Sequence, residues 1–404
     1  MTSPFYNSSH DALRAHVRQF IEREVLPHAQ QWEDDGAVPP DVYRKFADAG
    51  LILPHIPAQY RDGRPHAASV SSWDAFHTMI LVEELSRCPY TGVQWHLSSG
   101  TALGCNPIYV FGTDEQRAKF LPAASRGELR FCLGVTEPEG GSDVANLRTT
   151  ATLSDDGTHY VVNGAKKWIT HGLWADYMTT AVRTGAPSSG AKGLSFLLIP
   201  LKAPGVRRRR LRISGLHASG STLVTLDNVR VPAENLLGKP GSGFAMIMAN
   251  FNPERLALAT NALALARICA DDATAHTLRR KTFGKPLAEN QTIRAKLASM
   301  ERAIGSTHAW LEQLTYEVST GQHAMQDPVV GAKLALLKVQ AGKVLELCCR
   351  EAQQIFGGLS MTKDGHGRHV EQISRDLRVF VVGGGSEEIL DDLGIRILLS
   401  RARL

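Results

Sequence analysis

A change of periodicity along the chain, from helical to strand-like and back again, constrains its fold more than any single residue does. From Asp11 to Arg126 the apolar residues recur at helical spacing, as in Ala12-Leu13, His16-Val17, Phe20-Ile21 and Val25, and Pro27 closes that first run. Trp73 to Ser86 and Asp114 to Ala124 repeat the pattern, and Thr113 with Asp114 and Gln116 reads as a helix start. Near Leu129 the rhythm shortens to β-rich pieces: Tyr160 to Gly164, Tyr177 to Val182, Leu194 to Ile199 and Leu223 to Leu226. Turn clusters at Asp155-Asp156-Gly157 and Gly185 to Gly190 separate them, which predicts an antiparallel barrel or sandwich. After Gly243 long helices return over Phe244 to Arg280, Gln291 to Thr320, Pro328 to Phe356 and Glu387 to Leu399. The expected fold class is therefore α+β, with an N-terminal all-α domain (1–129), a middle antiparallel β-barrel domain (130–236) and a C-terminal four-helix bundle (237–404). No internal repeat or low-complexity segment interrupts this order.

Composition narrows the class without naming a function. At 404 residues the chain suits two or three domains of about 150 residues each. With 43% hydrophobic and 21% charged residues, disorder, collagen-like repeats and coiled coil are excluded as the main class. No apolar run approaches the roughly 20 residues needed to span a bilayer. Met1 to His10 carry neither a basic amphipathic presequence nor a hydrophobic signal core, so no N-terminal targeting is expected. The net charge is +5, and Arg207 to Arg210 nearly account for it. So short a basic cluster reads as a solvated loop or hairpin face, and no nucleic-acid partner is expected. The six cysteines lack Cys-x-x-Cys spacing and read as reduced, buried thiols of an intracellular protein. The tail Ala402-Arg403-Leu404 is a small–basic–leucine variant of a peroxisomal address, so the expected location is the peroxisome in a eukaryote and the cytoplasm otherwise.

Two stretches offer chemistry. Thr136-Glu137-Pro138-Glu139-Gly140-Gly141-Ser142-Asp143 supplies open backbone N–H groups and hydroxyls, suited to a ring edge or a pyrophosphate; a plain surface turn has the same composition. Trp168-Ile169-Thr170 supplies an aromatic face and a hydroxyl on a strand, as packing residues also do.

Taken in order, Val135-Thr136-Glu137-Pro138, Gly141-Ser142-Asp143, Asn163-Gly164, Lys167-Trp168-Ile169-Thr170, Asn228 to Gly238, Arg280-Lys281-Thr282-Phe283-Gly284-Lys285 and Gln354-Ile355-Phe356-Gly357-Gly358 resemble the acyl-CoA dehydrogenase family. The likeness extends from Glu24-Val25-Leu26-Pro27 to Ile397. It implies FAD, with the isoalloxazine between the β domain and the helical bundle. Leu133, Val135, Thr136, Gly141 and Ser142 are then expected to line the flavin, and Trp168, Ile169 and Thr170 to cover its other side. Arg280, Thr282, Phe283, Asn290 and Gln291 are expected on the pyrophosphate and adenine of a neighbouring subunit's FAD, where a planar guanidinium suits phosphate oxygens. Gln354, Phe356, Gly357, Gly358, Ser386 and Glu388 complete the implied cofactor set. His171 stands where the family usually has Asn after Trp-Ile-Thr.

The family's reaction removes an α-proton from an acyl thioester while the flavin takes a hydride from the β-carbon. A weakly acidic proton calls for a carboxylate of raised pKa and for donors on the developing enolate oxygen. Short- and medium-chain members carry that carboxylate near the C-terminus, where this chain has Gly384. Isovaleryl and long-chain members carry it earlier, in a Glu-Arg-Leu context, and Asn252-Pro253-Glu254-Arg255-Leu256 places Glu254 there. Asn-Pro-Glu also reads as a helix start, with Pro at N1 and Glu favouring the dipole. Arg255 and Asn252 are expected along the substrate with Ser142, and backbone N–H groups of Gly384 and Gly385 on the thioester oxygen. Expected partners are an acyl-CoA, an electron-accepting flavoprotein or oxygen, and further copies of the chain as dimer or tetramer. Alternatives are an acyl-CoA oxidase, a flavin monooxygenase on the same fold, or a non-catalytic nucleic-acid-binding relative. Val381 to Ser386 lacks the βαβ context of a dinucleotide loop. His366 and His369 lack a metal-ligand motif, no metal is expected, and Cys348-Cys349 point to different helix faces.

Overall fold

The computed structural model describes residues 4–64 and 66–402, so Arg403 and Leu404 of the tail, and Met1 to Ser3 of the leading segment, lie outside the described residues. Seven helices come first: α1 (Ser8–Phe20), α2 (Ala29–Asp35), α3 (Pro40–Asp48), α4 (Ala75–Leu85), α5 (Thr91–Leu97), α6 (Ser99–Phe111) and α7 (Asp114–Ser125). The sheet strands are β1 (Phe131–Gly134), β2 (Thr150–Leu153), β3 (His159–Ile169), β4 (Tyr177–Arg183), β5 (Leu194–Pro200), β6 (Val206–Arg210), β7 (Thr222–Pro232) and β8 (Leu236–Leu237). Then follow α8 (Gly243–Arg279), a small hairpin of β9 (Lys281–Thr282) and β10 (Lys285–Pro286), and α9 (Gln291–Ser319). The chain ends with α10 (Pro328–Phe356), α11 (Arg368–Asp376), α12 (Arg378–Val382) and α13 (Glu387–Ala402). None of these helices is long and apolar enough to cross a membrane.

Packing groups these elements into two compact units that do not follow chain order. One comprises Glu22–Trp73 and Gly92–Phe251; the other comprises the residues up to Ile21, Asp74–Thr91 and Asn252 onward. The first unit holds the sheet, ordered β6-β7-β3-β2-β4-β5-β8, with β1 added on β4. That hydrogen-bonded order does not close on itself among the described residues, whereas a barrel was expected. Most of the ladder is antiparallel, but β1 runs parallel to β4, pairing Phe131 with Tyr177. Parallel pairing needs a long connection rather than a hairpin, and alternation within one short strand carries no sign of it. Alternate residues Tyr160, Val162, Val224, Leu226, Val229 and Val231 build the core under the sheet.

The basic cluster forms the edge strand β6, antiparallel to β7. Its guanidinium groups divide by strand alternation. Arg208 donates to the carbonyls of Leu173 (3.1 Å) and Ala175 (3.1 Å), and Arg210 donates to that of Gly36 (2.8 Å). Arg207 and Arg209 remain on the exposed face of the same strand.

In the second unit α1 and α4 lie with the C-terminal helices. Arg14 donates to Glu83 and Glu84 (both 3.1 Å), Arg18 to Glu84 (2.7 Å), and Tyr6 to Glu312 (2.8 Å). Helix α8 runs unbroken through Asn252-Pro253-Glu254, so this segment is not the helix start that it resembles. Pro253 sits in the helix interior, where it removes one N–H rung, and the boundary between the units falls just before Asn252. The expected start at Thr113 is present as a capping box: Gln116 N–H bonds Thr113 Oγ1 (3.2 Å) and Thr113 N–H bonds Gln116 Oε1 (3.0 Å).

His171 is fully buried at φ 67°. It lies so close to Gly100 that a Cβ there would stand 2.2 Å from its own Cβ, so the imidazole fits because residue 100 has no side chain. Neither ring nitrogen finds a partner among the described residues. Burial, reinforced by His96 and Arg130, holds the His171 pKa well below its ordinary value, and burial pushes His96 down to about 3. Both are neutral in the folded state, while the unfolded chain takes up protons near pH 6.5. Their contribution is complete above that pH and is lost as pH falls below it, by roughly 1.4 kcal/mol per histidine per pH unit. Denaturant titrations at pH 6.5 and 5.5 should show this loss, and His171→Asn should remove about half of it; an unchanged difference would refute the assignment.

Candidate active site

The sheet unit assembles one group of the expected cofactor residues. Lys166 points inward from β3 and is fully buried; its Nζ donates to the Val135 carbonyl (3.0 Å) and to Glu137 Oε1 (2.8 Å). Glu137 in turn accepts from the N–H groups of Arg148 (2.6 Å) and Thr149 (2.9 Å), and Lys167 N–H bonds the Thr136 carbonyl (2.9 Å). The Thr136–Asp143 loop is thereby fastened beside the end of β3. Burial raises the Glu137 pKa, but Lys166 and the N–H donors outweigh it and hold the carboxyl below its ordinary range. Burial pushes Lys166 down to about 8 against the opposing pull of Glu137.

Around this brace the surface is open. A Cβ on Gly141 would meet nothing within 4 Å, and Ser142 is exposed beside it. The register of β3 against β7 shifts between Lys166 and Ile169, and at this bulge Trp168 takes φ 64° and stands 54% exposed. Thr136, Thr170 and Leu133 are half-buried, and Val135 is buried. Ile169 turns into the sheet core, so its backbone alone is available to a ligand. Open glycines, hydroxyls and an exposed indole suit the polar edge and flat face of a flavin.

The helical unit builds the second group on one stripe of α8. Glu254 and Leu258 are four residues apart and share a helix face. Opposite lies the Gly383–Ser386 loop: a Cβ on Gly384 would stand 2.7 Å from Leu258 Cδ1 and 4.0 Å from Arg255 Cγ. The slot therefore faces the Glu254 stripe, and its φ of 69° disfavours any side chain there. Glu254 is half-buried, and desolvation pushes its pKa up to about 8, opposed by Arg255. Arg255 is buried; its Nε donates to the Gly384 carbonyl (3.3 Å) and its NH1 to Asn252 Oδ1 (3.2 Å), while Asn252 Nδ2 donates to the Met325 carbonyl (2.9 Å). Lys338 of α10 donates to the carbonyls of Val381 (2.8 Å) and Gly385 (2.9 Å).

A third group lies at the far end of α8. His276 packs on Phe356 with the rings tilted by 30° and their centroids 4.5 Å apart, which brings the end of α8, just before the β9–β10 hairpin, beside the end of α10. Arg280, Gln291, Gln354, Gly357 and Gly358 are exposed there, and Phe283 at the hairpin turn is 99% exposed. Thr282 is half-buried in β9. Asn290 is committed to capping α9, accepting from Thr292 N–H (3.0 Å). Ser386 and exposed Glu388 lie at the start of α13, away from this group in the chain. His276 is 22 residues beyond Glu254, about 33 Å along the helix.

Lys166 and Lys338 were absent from the sequence-derived set. Both had a signal: Lys166 shares the inward phase of Tyr160 and Val162, and Lys338 lies on the apolar stripe of Leu334, Ala341 and Leu345. A lysine in a buried phase needs acceptors, but the pattern does not say which.

Among the described residues one cluster, His10, Asp74 and His77, brings potential metal-ligand atoms within 4.8 Å of one another. His10 Nδ1 accepts the Asn7 N–H (3.1 Å), which puts the proton of the neutral ring on Nε2, facing Asp74 (3.1 Å). A ligating histidine needs the reverse arrangement, so these residues serve as helix caps. His369 bonds Asp272 (2.9 Å), and all six cysteines are free and buried.

The Glu137–Lys166 pair gives a direct test of the loop's support. Glu137→Ala strands the buried ammonium and should cost about 3–5 kcal/mol in denaturant unfolding, while adding Lys166→Met should recover most of that loss. A single variant of wild-type stability would show that the pair does not brace the loop.

The description "Acyl-CoA dehydrogenase, N-terminal domain" matches residues 7–128, the middle domain matches 132–229, and the C-terminal domain matches 241–399. Acyl-CoA dehydrogenase AFT10-1 of Alternaria alternata is 46% identical over 399 residues, covering 96% of this chain and 91% of that protein. Acyl-CoA dehydrogenase apdG of Emericella nidulans is 41% identical over 408 residues, covering 99% and 93%. The crystal structure of a probable acyl-CoA dehydrogenase from Mycobacterium abscessus superposes with a TM-score of 0.88 at 34% identity, covering 98% of this chain and 100% of that one. With its helical, β and helical segments each matched in order, the chain belongs to the acyl-CoA dehydrogenase family, whose members are FAD-dependent oxidoreductases.

Proposed function

We propose that this acyl-CoA dehydrogenase uses Glu254 as the base that removes the α-proton of the acyl-CoA thioester. One observation carries the reading: a half-buried carboxyl with its pKa raised to about 8 stands on the α8 stripe facing the Gly384 slot, which holds a glycine at φ 69° and no carboxylate. A raised pKa matches the base to a weakly acidic proton and delays its ionisation until near the working pH. The N–H groups of Gly384 and Gly385 are the proposed donors to the thioester oxygen, where negative charge develops as the proton leaves. FAD, when bound, supplies the acceptor for the hydride that leaves the β-carbon. Leu133, Val135, Thr136, Gly141, Ser142, Trp168, the Ile169 backbone and Thr170 are its proposed lining in the sheet unit. Arg255 holds the loop and Asn252, so its service to the substrate is through that scaffold.

The hairpin group supports a homo-oligomer, as dimer or tetramer. Arg280, Thr282, Phe283, Gln291, Gln354, Phe356, Gly357 and Gly358 gather at the end of α8 remote from Glu254, and a cofactor placed there belongs to another copy's base. Asn290 can add only the half of its amide not used in the α9 cap. The electron acceptor is proposed as a flavoprotein or oxygen, which anaerobic and aerobic turnover with peroxide detection distinguishes. The closing tripeptide supports a peroxisomal location in a eukaryotic cell, tested by a fluorescent fusion with and without Ala402 to Leu404.

Glu254→Gln should retain FAD but slow anaerobic bleaching of the flavin by acyl-CoA roughly 10²–10⁴-fold. The working form of the base is the anion, so in the wild type the second-order bleaching rate should fall about tenfold per pH unit below about 8. Bleaching at the wild-type rate in the Gln variant would move the base elsewhere. Phe283→Ala should lower FAD retention without touching Glu254; full retention with an unchanged oligomer would remove the hairpin from the cofactor site.

A further inference from the structure

The Gly383–Ser386 loop is irregular backbone, and cations take up its Gly384 and Gly385 carbonyls, while that of Ser386 accepts from Leu390 N–H. Lys338, 1% exposed, reaches across from α10 to the Val381 and Gly385 carbonyls at 2.8 and 2.9 Å. Arg255, on the opposing helix, takes the Gly384 carbonyl at 3.3 Å. The preceding N–H, that of Gly383, closes α12 on the Val379 carbonyl (2.7 Å). By contrast, the N–H groups of Gly384, Gly385 and Ser386 find no acceptor among the described residues. Gly384 and Gly385 hold φ of 69° and 110°, a backbone path that glycine adopts without strain.

Peptide geometry links the two sides of this loop. In a trans amide the carbonyl and the following N–H belong to one plane and point in opposite directions. Fixing the Gly384 carbonyl on Arg255 therefore fixes the Gly385 N–H, and fixing the Gly385 carbonyl on Lys338 fixes the Ser386 N–H. The Gly384 amide lies between the Gly383 anchor and the Gly384 anchor, so it is held from both ends. A hydrogen bond from a charged donor also polarises the amide that accepts it and strengthens its own N–H as a donor. Burying an ammonium costs several kcal/mol unless its protons are satisfied, and a leucine on this stripe of α10 would fill the space without that cost.

We propose that Lys338 is a positioning residue for the reaction, which, together with Arg255, anchors and polarises the Gly383–Ser386 loop so that its N–H groups grip the thioester oxygen. It acts through backbone amides and touches neither substrate nor cofactor. The inference rests on the reading of Glu254 and this loop as the reacting site. Burial and Arg255 push the lysine's pKa down to about 8 against the pull of Glu387, so the charge that the two carbonyls hold is present below that pH and is lost above it.

The test uses the FAD-loaded enzyme with two readouts: the rate of anaerobic flavin bleaching by an acyl-CoA, and the carbonyl stretch of a bound, carbonyl-labelled 2-enoyl-CoA in isotope-edited infrared spectra. K338M should bind FAD, slow bleaching roughly 10–100-fold, short of the 10²–10³ for outright loss of an oxyanion donor, and move the bound carbonyl stretch toward its value in water. K338R, which keeps the charge, should restore the rate to within about threefold and return the stretch. A wild-type rate in K338M, or a slowed rate with the stretch unmoved, would overturn the proposal, the latter by revealing a merely structural role. Should K338M fail to fold, K338Q, which keeps a donor without the charge, takes its place with the same two outcomes. E254Q run in parallel separates the readings. If it bleaches normally, the base assignment falls, while the carbonyl shift still reports on the loop; if it is dead and K338M is normal, only the inference about Lys338 falls.

Discussion

A loop that offers its N–H groups to a ligand must still satisfy its carbonyls, and in this protein buried cationic side chains meet that demand. Lys166 takes the Val135 carbonyl at the root of the Thr136–Asp143 loop, and Lys338 and Arg255 take those of the Gly383–Ser386 loop. Arg183 does the same for Leu147 (3.0 Å) and Ala145 (2.8 Å), just beyond the first of these loops. The Thr136–Asp143 loop also has backbone partners, Lys167 N–H on the Thr136 carbonyl among them, whereas among the described residues the Gly384 and Gly385 carbonyls have the cations alone and would otherwise compete for water or distort the turn. Long side chains rooted in regular structure thus act as struts: β3 and β4 carry them in the sheet unit, α8 and α10 in the helical unit. The regular elements fix the strut, the strut fixes the carbonyls, and planarity of the amide passes that order to the N–H side.

The coarse architecture was legible because it rests on periodicity, which is local. The four long C-terminal helices and the strands around Tyr177 and Leu194 follow from spacing of apolar residues alone. What spacing cannot convey is which segment packs on which. Helices α1 and α4 lie with the C-terminal helices through Arg14, Arg18 and Tyr6, contacts spanning up to about three hundred residues of chain. The parallel step from β1 to β4 was hidden for the same reason. Pro253 misleads in the opposite sense: next to Asn252 and Glu254 it imitates a helix start, and only the continuous packing of α8 on both sides overrides that local preference.

The site was legible where a residue's chemistry is unusual for its place and illegible where its role depends on a partner. Glu254 and the missing carboxylate at Gly384 could be matched as a pair of positions. Lys166 and Lys338 could be noticed as charges in an apolar phase, but the carbonyls they hold belong to distant residues. Asn290 shows the converse, since its match to the family pattern is real, yet its side chain also caps α9. His171 could be marked as a departure; its dependence on the bare backbone of Gly100 could not.

The contact between the Gly384 slot and Leu258 bears on where else a carboxylate could stand. With Glu254 as the proposed base, a carboxylate at 384 would need two adjustments at once: Leu258 Cδ1, 2.7 Å from a Cβ there, must swing aside, and the new side chain must adopt a φ of 69°. The leucine tip can yield by changing rotamer, so the backbone conformation, which glycine adopts freely and other residues adopt at a cost, is the larger obstacle to a side chain at this position.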